Sequence, residues 1–357
     1  MCACRLGARM SEESDLEKTE AASPRRLEKA REDGLLRALA IVDWPSAERD
    51  GYNQVEGINA PTAQNQIGPE INTVVNAFYY HALLKMAEIA KATQHEVDAK
   101  LFESKAKQVY TGFNGVFFDP KRGIYVDGEG ATHASLHANM FALAFDLVPQ
   151  EHQSSVADFV QSRGMACSVY GAQYLLEGLY KGGKADYALQ LMTSRSDRSW
   201  WHMIELGSTM TLEAWDIKYK NNLTWNHAWG AAPGNIISRY LLGVRPAEPG
   251  YKKILIAPQP GSLKWVRGQV PTILGPVLVD YRAEEIPRLE VEIPVSATAS
   301  VLVPVSNDAA LKARAVWVDG KKKTGVVQGS ALQFDGLKPG KHVFEFSAPQ
   351  RVQRFTR

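Results

Sequence analysis

Apolar residues recur at helical spacing through the first two-thirds of the chain, and the predicted helices come in pairs joined by short turns. The pairs repeat with a period of roughly fifty residues. We predict helices over residues 23–40, 70–94, 97–111, 133–147, 153–162, 169–180, 185–193 and 227–242. Paired helices at a constant period indicate an array or a closed ring of hairpins, in which functional residues gather on the loops at one end.

After Gly243 the pattern changes to short strand-like runs punctuated by prolines. The runs that we predict as strands are residues 253–257, 277–282, 289–293, 300–305, 315–319 and 342–347. Asp319-Gly320 predicts a hairpin turn. Closely spaced short strands are typical of an antiparallel sandwich of about 100 residues. We interpret it as a support domain with Trp265 and Trp317 in its core.

This change of pattern divides the chain into a polar tail (residues 1–22), a helical domain (23–243) and an all-β sandwich (244–357). A length of 357 residues suits one large and one small domain. The net charge is only +2, whereas a nucleic-acid binder typically carries a strong excess of positive charge. The apolar runs are too short to predict a membrane span. We therefore expect neither nucleic acid nor membrane as a partner, and the oligomeric state stays open.

The N-terminus carries Arg5 and Arg9 but no apolar core of a signal peptide. The protein is expected in the cytoplasm if the chain is complete, and in the periplasm or outside the cell if it is a fragment of a longer precursor. Three cysteines, two of them within the first four residues, argue against a disulfide framework. His133 and His137 have a spacing that can bind a metal, but no third ligand is in view, so no metal site is predicted.

One carboxylate, Glu213, lies within an aromatic-rich segment that we place mostly in loops. Five of the eight tryptophans fall close around it: Trp200, Trp201, Trp215, Trp225 and Trp229. A carboxylate in an aromatic-walled pocket is the usual equipment for cutting a glycosidic bond. Tryptophan and histidine also fill protein cores, but these tryptophans follow neither a helical nor a strand period, and loops carry function more often than cores.

Several motifs, taken in order, resemble bacterial α-L-rhamnosidases of glycoside hydrolase family 78. They are Asp43-Trp-Pro-Ser-Ala-Glu-Arg-Asp-Gly-Tyr52, Asn72-Thr-Val-Val-Asn-Ala-Phe-Tyr-Tyr80, Ser199-Trp-Trp-His-Met-Ile-Glu-Leu-Gly-Ser-Thr-Met-Thr-Leu-Glu-Ala-Trp215, Trp225-Asn-His-Ala-Trp-Gly230 and Gly243-Val-Arg-Pro246. The resemblance covers residues 41–305. It implies a mainly α fold, the (α/α)6 six-hairpin toroid, followed by an all-β sandwich, and a chemistry that needs no cofactor.

The resemblance also implies an activity, the inverting hydrolysis of terminal α-L-rhamnosyl residues, with Glu213 as general base. His227 would contact the sugar or orient the base. Asp43 and Arg49 are expected either to bind sugar hydroxyls or to serve as scaffold, with Arg49 in an ion pair with Glu48 or Asp50. The tryptophans expected to contact the carbohydrate substrate are Trp44, Trp200, Trp201, Trp215 and Trp225.

The chain departs from the family where the general acid should be. That acid lies in an acidic, Arg-rich motif upstream of the position of Asp43, and residues 1–22 offer no match. Glu48, within Ala47-Glu-Arg-Asp50, superficially resembles this acid motif, but the preceding Asp43-Trp-Pro45 matches a different segment of the family's sequences. The predicted helices are too few for a closed ring of six hairpins, so we expect an incomplete toroid from the C-terminal part of a longer enzyme. The alternatives are a non-catalytic carbohydrate-binding remnant and another (α/α)6 carbohydrate-active enzyme.

Overall fold

The computed structural model describes residues 30–37, 42–52, 70–283, 287–305 and 315–346. The chain divides into two compact units, Met1–Val42 with Gly51–Ala138, and Asp43–Asp50 with Asn139–Arg357. The loop 43–50 thus belongs to the second unit, with all the predicted site residues. The tail predicted over residues 1–22 lies outside the described residues, and the division at residue 243 stays a prediction.

The first unit contains a helical hairpin and a short β-hairpin. Helix α1 spans Thr73–Ala92 and α2 spans Glu96–Phe117, as the two predicted patterns require. Asn72 caps α1, because its side-chain oxygen accepts a hydrogen bond of 2.9 Å from the Val75 N–H. Helix α2 runs past its predicted end since Phe113 and Phe117 are fully buried. Strands β1 (Phe118–Asp119) and β2 (Ile124–Tyr125) pair antiparallel.

The helix predicted over residues 23–40 is wrong where the structure describes it. Residues 30–37 form a turn, closed by a β-bridge between Ala30 and Leu36. The Asp33 carboxylate accepts a hydrogen bond of 3.1 Å from the Leu35 N–H, and Gly34 has a φ of +84°. An Asp-Gly pair stabilises such a turn because aspartate bonds its own backbone and glycine adopts positive φ without strain. The other residues of that prediction lie outside the described ranges.

Four helices predicted between residues 133 and 193 are present, with ends shifted by a few residues. They are α3 (Leu136–Ala144), α4 (Gln153–Arg163), α5 (Gly171–Lys181) and α6 (Ala185–Met192). A further short helix, α7 (Trp200–Glu205), lies in a segment predicted as loop. Ser199 caps it by accepting a hydrogen bond of 3.1 Å from the His202 N–H.

The helix predicted over residues 227–242 is broken into three pieces. A 3-10 turn (Ala228–Gly230) precedes the short helix α8 (Ala232–Ile236), and a π-helical turn (Ile237–Leu241) follows. Gly230 approaches a neighbouring segment so closely that a Cβ there would lie 2.7 Å from the Thr211 Cβ. The break thus occurs where the backbone packs against the segment that carries Glu213.

The C-terminal part is a sandwich of two sheets. The strands are β3 (Val244–Pro246), β4 (Lys253–Ile256), β5 (Trp265–Val270), β6 (Val277–Arg282), β7 (Arg288–Ile293), β8 (Thr298–Pro304), β9 (Ala315–Val318), β10 (Lys321–Thr324), β11 (Val326–Gln328), β12 (Ala331–Leu337) and β13 (Gly340–Glu345). The larger sheet has the order β10-β9-β13-β7-β6-β5, and the smaller sheet has the order β11-β12-β8-β4-β3. The described strand pairs are antiparallel except β4 with β8, which is parallel. The purely antiparallel prediction is corrected at that pair.

Alternating side chains of both sheets build one apolar core, which includes Val279, Val291 and Val301. The two tryptophans predicted to fill it do not. Trp265 is 68% exposed, and Trp317 is half-buried between the buried Val316 and Val318. Both fall on the outward positions of their strands, since side chains alternate between the two faces. The predicted Asp319-Gly320 turn is confirmed, with φ values of 52° and 75°.

Candidate active site

Two neighbouring segments carry the predicted base and the predicted histidine. The Glu213 N–H donates to the Thr224 carbonyl at 3.1 Å, and the His227 N–H donates to the Thr211 carbonyl at 2.8 Å. The Thr211 hydroxyl returns a hydrogen bond of 2.6 Å to the His227 carbonyl. These antiparallel contacts bring Glu213 and His227 close together although 14 residues separate them in the sequence.

One carboxylate oxygen of Glu213, Oε2, receives three donors. They are the Thr224 N–H at 2.9 Å, the Thr224 hydroxyl at 3.3 Å and the Lys220 ammonium at 3.1 Å. The Thr224 N–H lowers the pKa of Glu213 most; burial acts in the opposite direction, and Lys220 lowers it further. The side chain is 21% exposed. Glu213 is therefore an ionised, solvent-accessible carboxylate, the form that a general base needs.

His227 lies beside this carboxylate and against an open aromatic surface. Its Nδ1 is 3.0 Å from the Thr224 hydroxyl oxygen. Its ring meets Trp229 edge-on, with centroids 5.1 Å apart, and Trp229 in turn lies 5.2 Å from the Tyr170 ring. Trp229 is 64% exposed. A carboxylate, an imidazole and exposed aromatic faces are the groups that bind a sugar ring through its hydroxyls and its C–H face.

Trp215 is a core residue in the structure, not the pocket wall that the resemblance implies. It is fully buried, and its indole N–H donates to the Cys167 carbonyl at 2.7 Å. Trp200 packs edge-on against it at 5.1 Å and donates its own indole N–H to the Gly230 carbonyl at 2.6 Å. The pair therefore supports the segment that carries Glu213, and only Trp200 retains partial exposure.

The loop 43–50 is built as scaffold around a buried carboxylate. Asp43 accepts hydrogen bonds from the Ser168 N–H at 2.9 Å, from the Ser168 hydroxyl, and from the Trp44 N–H at 2.8 Å. Arg49 is also buried and donates its Nε–H to the Asp43 carbonyl at 2.8 Å. Burial and these partners favour the scaffold interpretation of Asp43 and Arg49 over contact with sugar hydroxyls.

Glu48 is fully buried beside Arg198, whose Nη2 lies 3.2 Å from a Glu48 carboxylate oxygen. Burial raises the pKa of Glu48 to about 7, Arg198 opposes this and Asp43 adds to it. A raised pKa suits a general acid. The side chain nevertheless has no exposed surface through which a leaving group could be protonated. Burial therefore argues against Glu48 as a substitute for the upstream acid.

Three further predicted tryptophans are accessible. Trp44 and Trp225 are each 48% exposed, and Trp225 directly follows Thr224 in the chain. Trp201 donates its indole N–H to a Glu205 carboxylate oxygen at 2.7 Å, and the Arg195 guanidinium covers its ring at 4.2 Å. Arg195 thus covers part of the Trp201 ring that a sugar could otherwise stack on. Trp225, in contrast, is the next residue in the chain after Thr224, which contacts Glu213.

Four residues of this cluster were not predicted from the sequence as site residues. Lys220 and Thr224 were not singled out because they fall in a polar run predicted as loop, and Trp229 was noted only as part of the aromatic segment. Tyr170 begins a predicted helix and carries no motif. The sequence offers only a general signal for Thr224: it lies in a predicted loop just before the helix predicted from residue 227, where threonine side chains bond nearby backbone groups.

Within the described ranges, no helix has the length and apolarity needed to cross a bilayer, and no cluster of three or more His, Cys, Asp or Glu side chains could hold a metal ion. His133 instead pairs with Asp127, at 2.6 Å.

Comparison with known proteins places both parts of the chain. Residues 22–241 match the bacterial α-L-rhamnosidase six-hairpin glycosidase domain, and residues 243–315 match the bacterial α-L-rhamnosidase C-terminal domain. An α-L-rhamnosidase from Alteromonas sp. (strain LOR) is 27% identical over 85% of this chain and 33% of its own length. One from Formosa agariphila is 26% identical over 71% of this chain and 28% of its own. The chain thus spans between about a quarter and a third of the length of the curated relatives that it matches.

Solved structures show the same fold. An α-L-rhamnosidase from Dictyoglumus thermophilum superposes with a TM-score of 0.69 at 20% identity, over 93% of this chain and 37% of that protein. The Streptomyces avermitilis α-L-rhamnosidase complexed with L-rhamnose gives a TM-score of 0.67 at 20% identity, over 93% of this chain and 30% of that protein. The predicted fold class, a six-hairpin glycosidase domain followed by a β-sandwich, is confirmed. The chain belongs to the bacterial α-L-rhamnosidase family.

Proposed function

We propose that this protein is a glycoside hydrolase segment that acts on terminal α-L-rhamnosyl residues, with Glu213 as the general base. The observation that carries the proposal is the asymmetry of the Glu213 carboxylate. Its three donors, from Thr224 and Lys220, converge on Oε2, and no group in the described part of the chain donates a hydrogen bond to Oε1. An ionised carboxylate with one anchored and one available oxygen can hold and deprotonate a water molecule.

The chemistry follows from this geometry. In an inverting reaction the base removes a proton from water while the water oxygen forms a bond to the anomeric carbon. The bond to the leaving oxygen breaks as a second carboxyl protonates that oxygen, and the two carboxyls stand about 6.5–9.5 Å apart. Glu213 supplies the first group. His227 is linked to Glu213 through the Thr224 hydroxyl and contacts the exposed Trp229, and in this proposal both residues hold the sugar.

A second candidate function is carbohydrate binding without hydrolysis. The burial of Glu48 favours it, because the acid-like segment that this chain contains offers no accessible proton donor. The Glu213, His227 and Trp229 cluster would then bind a rhamnosyl residue and leave its glycosidic bond intact.

Release of p-nitrophenol from p-nitrophenyl α-L-rhamnoside tests the first proposal. We expect Glu213→Gln to lower the rate by at least about a hundredfold, the usual contribution of a general base. Glu151→Gln, at an exposed position just before α4, is the matched control and should keep the rate. A Glu213→Gln variant that retains full activity would contradict the proposal. Titration of L-rhamnose by calorimetry separates the second candidate, which requires binding by the wild type with no release of nitrophenol.

A further inference from the structure

The Thr224 hydroxyl lies between the two polar groups of the proposed site. Its oxygen is 3.3 Å from Glu213 Oε2 and 3.0 Å from His227 Nδ1. The threonine side chain thus links the carboxylate to the imidazole, and its own backbone N–H contacts the same carboxylate oxygen at 2.9 Å. What this link does depends on the direction in which its protons point.

The neighbouring charges determine that direction. The three ammonium protons of Lys220 have three acceptors: Glu213 Oε2 at 3.1 Å, the Asn222 carbonyl at 3.1 Å and Asn222 Oδ1 at 2.9 Å. Asn222 therefore holds the lysine in place against Glu213. An ionised carboxylate accepts hydrogen bonds and donates none.

A threonine hydroxyl has one proton to give. Hydrogen bonds to charged groups are the stronger ones, so the Glu213 carboxylate takes that proton in preference to a neutral imidazole nitrogen. The hydroxyl oxygen must then accept from His227, which requires a proton on Nδ1. The resulting chain runs from the His227 Nδ1–H to the Thr224 hydroxyl and from there to Glu213 Oε2.

We propose that Thr224 is a positioning residue that holds His227 in its Nδ1-protonated form and fixes Glu213 by Oε2. This proposal deepens the proposed function and rests on it for its catalytic meaning. In that form the neutral imidazole keeps Nε2 as its acceptor, so His227 accepts a hydrogen bond from a sugar hydroxyl. The same bridge leaves Glu213 Oε1 as the oxygen that receives the proton from water.

The proton direction is tested by ¹⁵N NMR of the histidine-labelled chain at a pH where His227 is neutral, with its resonances assigned by their loss in His227→Gln. We expect the wild type and Thr224→Ser to show a protonated Nδ1 and an unprotonated Nε2. Thr224→Val keeps the side-chain shape and the backbone N–H but removes the bridge, and should shift His227 towards the Nε2-protonated form. Thr224 is exposed, so the loss of one methyl or hydroxyl there spares the fold.

An Nε2-protonated His227 in the wild type would overturn the proposal, as would a Thr224→Val spectrum identical to that of the wild type. Calorimetry with L-rhamnose provides the functional readout. We expect Thr224→Val to weaken binding about tenfold, the effect of one lost hydrogen bond, and Thr224→Ser to bind as the wild type does. Equal weakening in both variants would contradict the bridge. Failure of the wild type to bind rhamnose or to cleave the rhamnoside would sink the proposed function alone, since the NMR result still decides the proton direction.

Discussion

Lys220 places its ammonium nitrogen 3.1 Å from Glu213 Oε2, within a loop where Asn222 holds it by two further contacts. Lys220 is only 13% exposed at its side chain and Glu213 21%, so water screens the pair less than it screens an ordinary surface ion pair. Together with the Thr224 N–H, which has the larger effect, Lys220 lowers the pKa of Glu213. The protein thus keeps its proposed base ionised with groups from its own loop.

Lys220→Met is expected to raise the pKa of Glu213, because the positive charge and its hydrogen bond are lost while the Thr224 N–H remains. ¹³C NMR titration of the glutamate carboxyls measures this without relying on catalysis. In an active preparation, the acidic limb of the pH–rate profile should move to higher pH. Lys218→Met is the control, because Lys218 pairs with Asp197 on the surface. An unchanged Glu213 titration in Lys220→Met would show that Lys220 does not act on the base.

The sequence predicted the helical pairs well because each helix buries an apolar face that recurs in the pattern, as in α1 and α2. It predicted the Glu213 and His227 positions from motifs, and the structure brings these two residues together through Thr224. It could not predict that Trp215 would be buried while Trp229 would be exposed. Both are tryptophans in the same loop-rich segment, and tertiary packing alone decides which ring is covered. The same holds for Glu48, which is buried beside Arg198, a residue 150 positions later in the sequence.

Glu48→Gln should change how stability depends on pH. Burial raises the pKa of Glu48 to about 7 from an ordinary 4.5, so the folded state favours the protonated acid. The contribution of Glu48 to the free energy of unfolding is therefore fully present below its pKa in the unfolded chain, and it is lost as the pH rises through its pKa in the folded protein. Between pH 4.5 and 8, the free energy of unfolding of the wild type should therefore fall by on the order of 3 kcal/mol more than that of Glu48→Gln.

Urea unfolding at several pH values measures the Glu48 effect as a difference in slope between the two proteins. Glu88→Gln, an exposed glutamate of α1, is the control and should follow the wild type. Parallel pH profiles for wild type and Glu48→Gln would rule out a buried, protonatable Glu48.

Trp215→Phe should destabilise the fold by about 2–4 kcal/mol, because it leaves a cavity and deprives the buried Cys167 carbonyl of its indole donor. Trp229→Phe, at 64% exposure, should change stability by no more than about 0.5 kcal/mol. The urea midpoints of the two variants give the comparison. If Trp215→Phe unfolded like the wild type but bound L-rhamnose more weakly, Trp215 would be a wall of the pocket after all.

Gly243→Ala should destabilise the protein far more than Gly250→Ala, a substitution at the same backbone conformation. Gly243 precedes β3 with a φ of +76°, and a Cβ there would lie 2.1 Å from the Ala257 carbonyl carbon. Because the clash is with backbone, no side-chain rotation relieves it. Gly250→Ala isolates the conformational part, since Gly250 has a φ of +75° and no described heavy atom within 4 Å of the new Cβ. We expect a cost of about 1 kcal/mol for Gly250→Ala and at least about 3 kcal/mol for Gly243→Ala. Thermal unfolding of both variants measures these costs. Equal losses of stability would mean that the backbone at Gly243 and Ala257 moves apart freely, and that this contact does not fix the start of the sandwich.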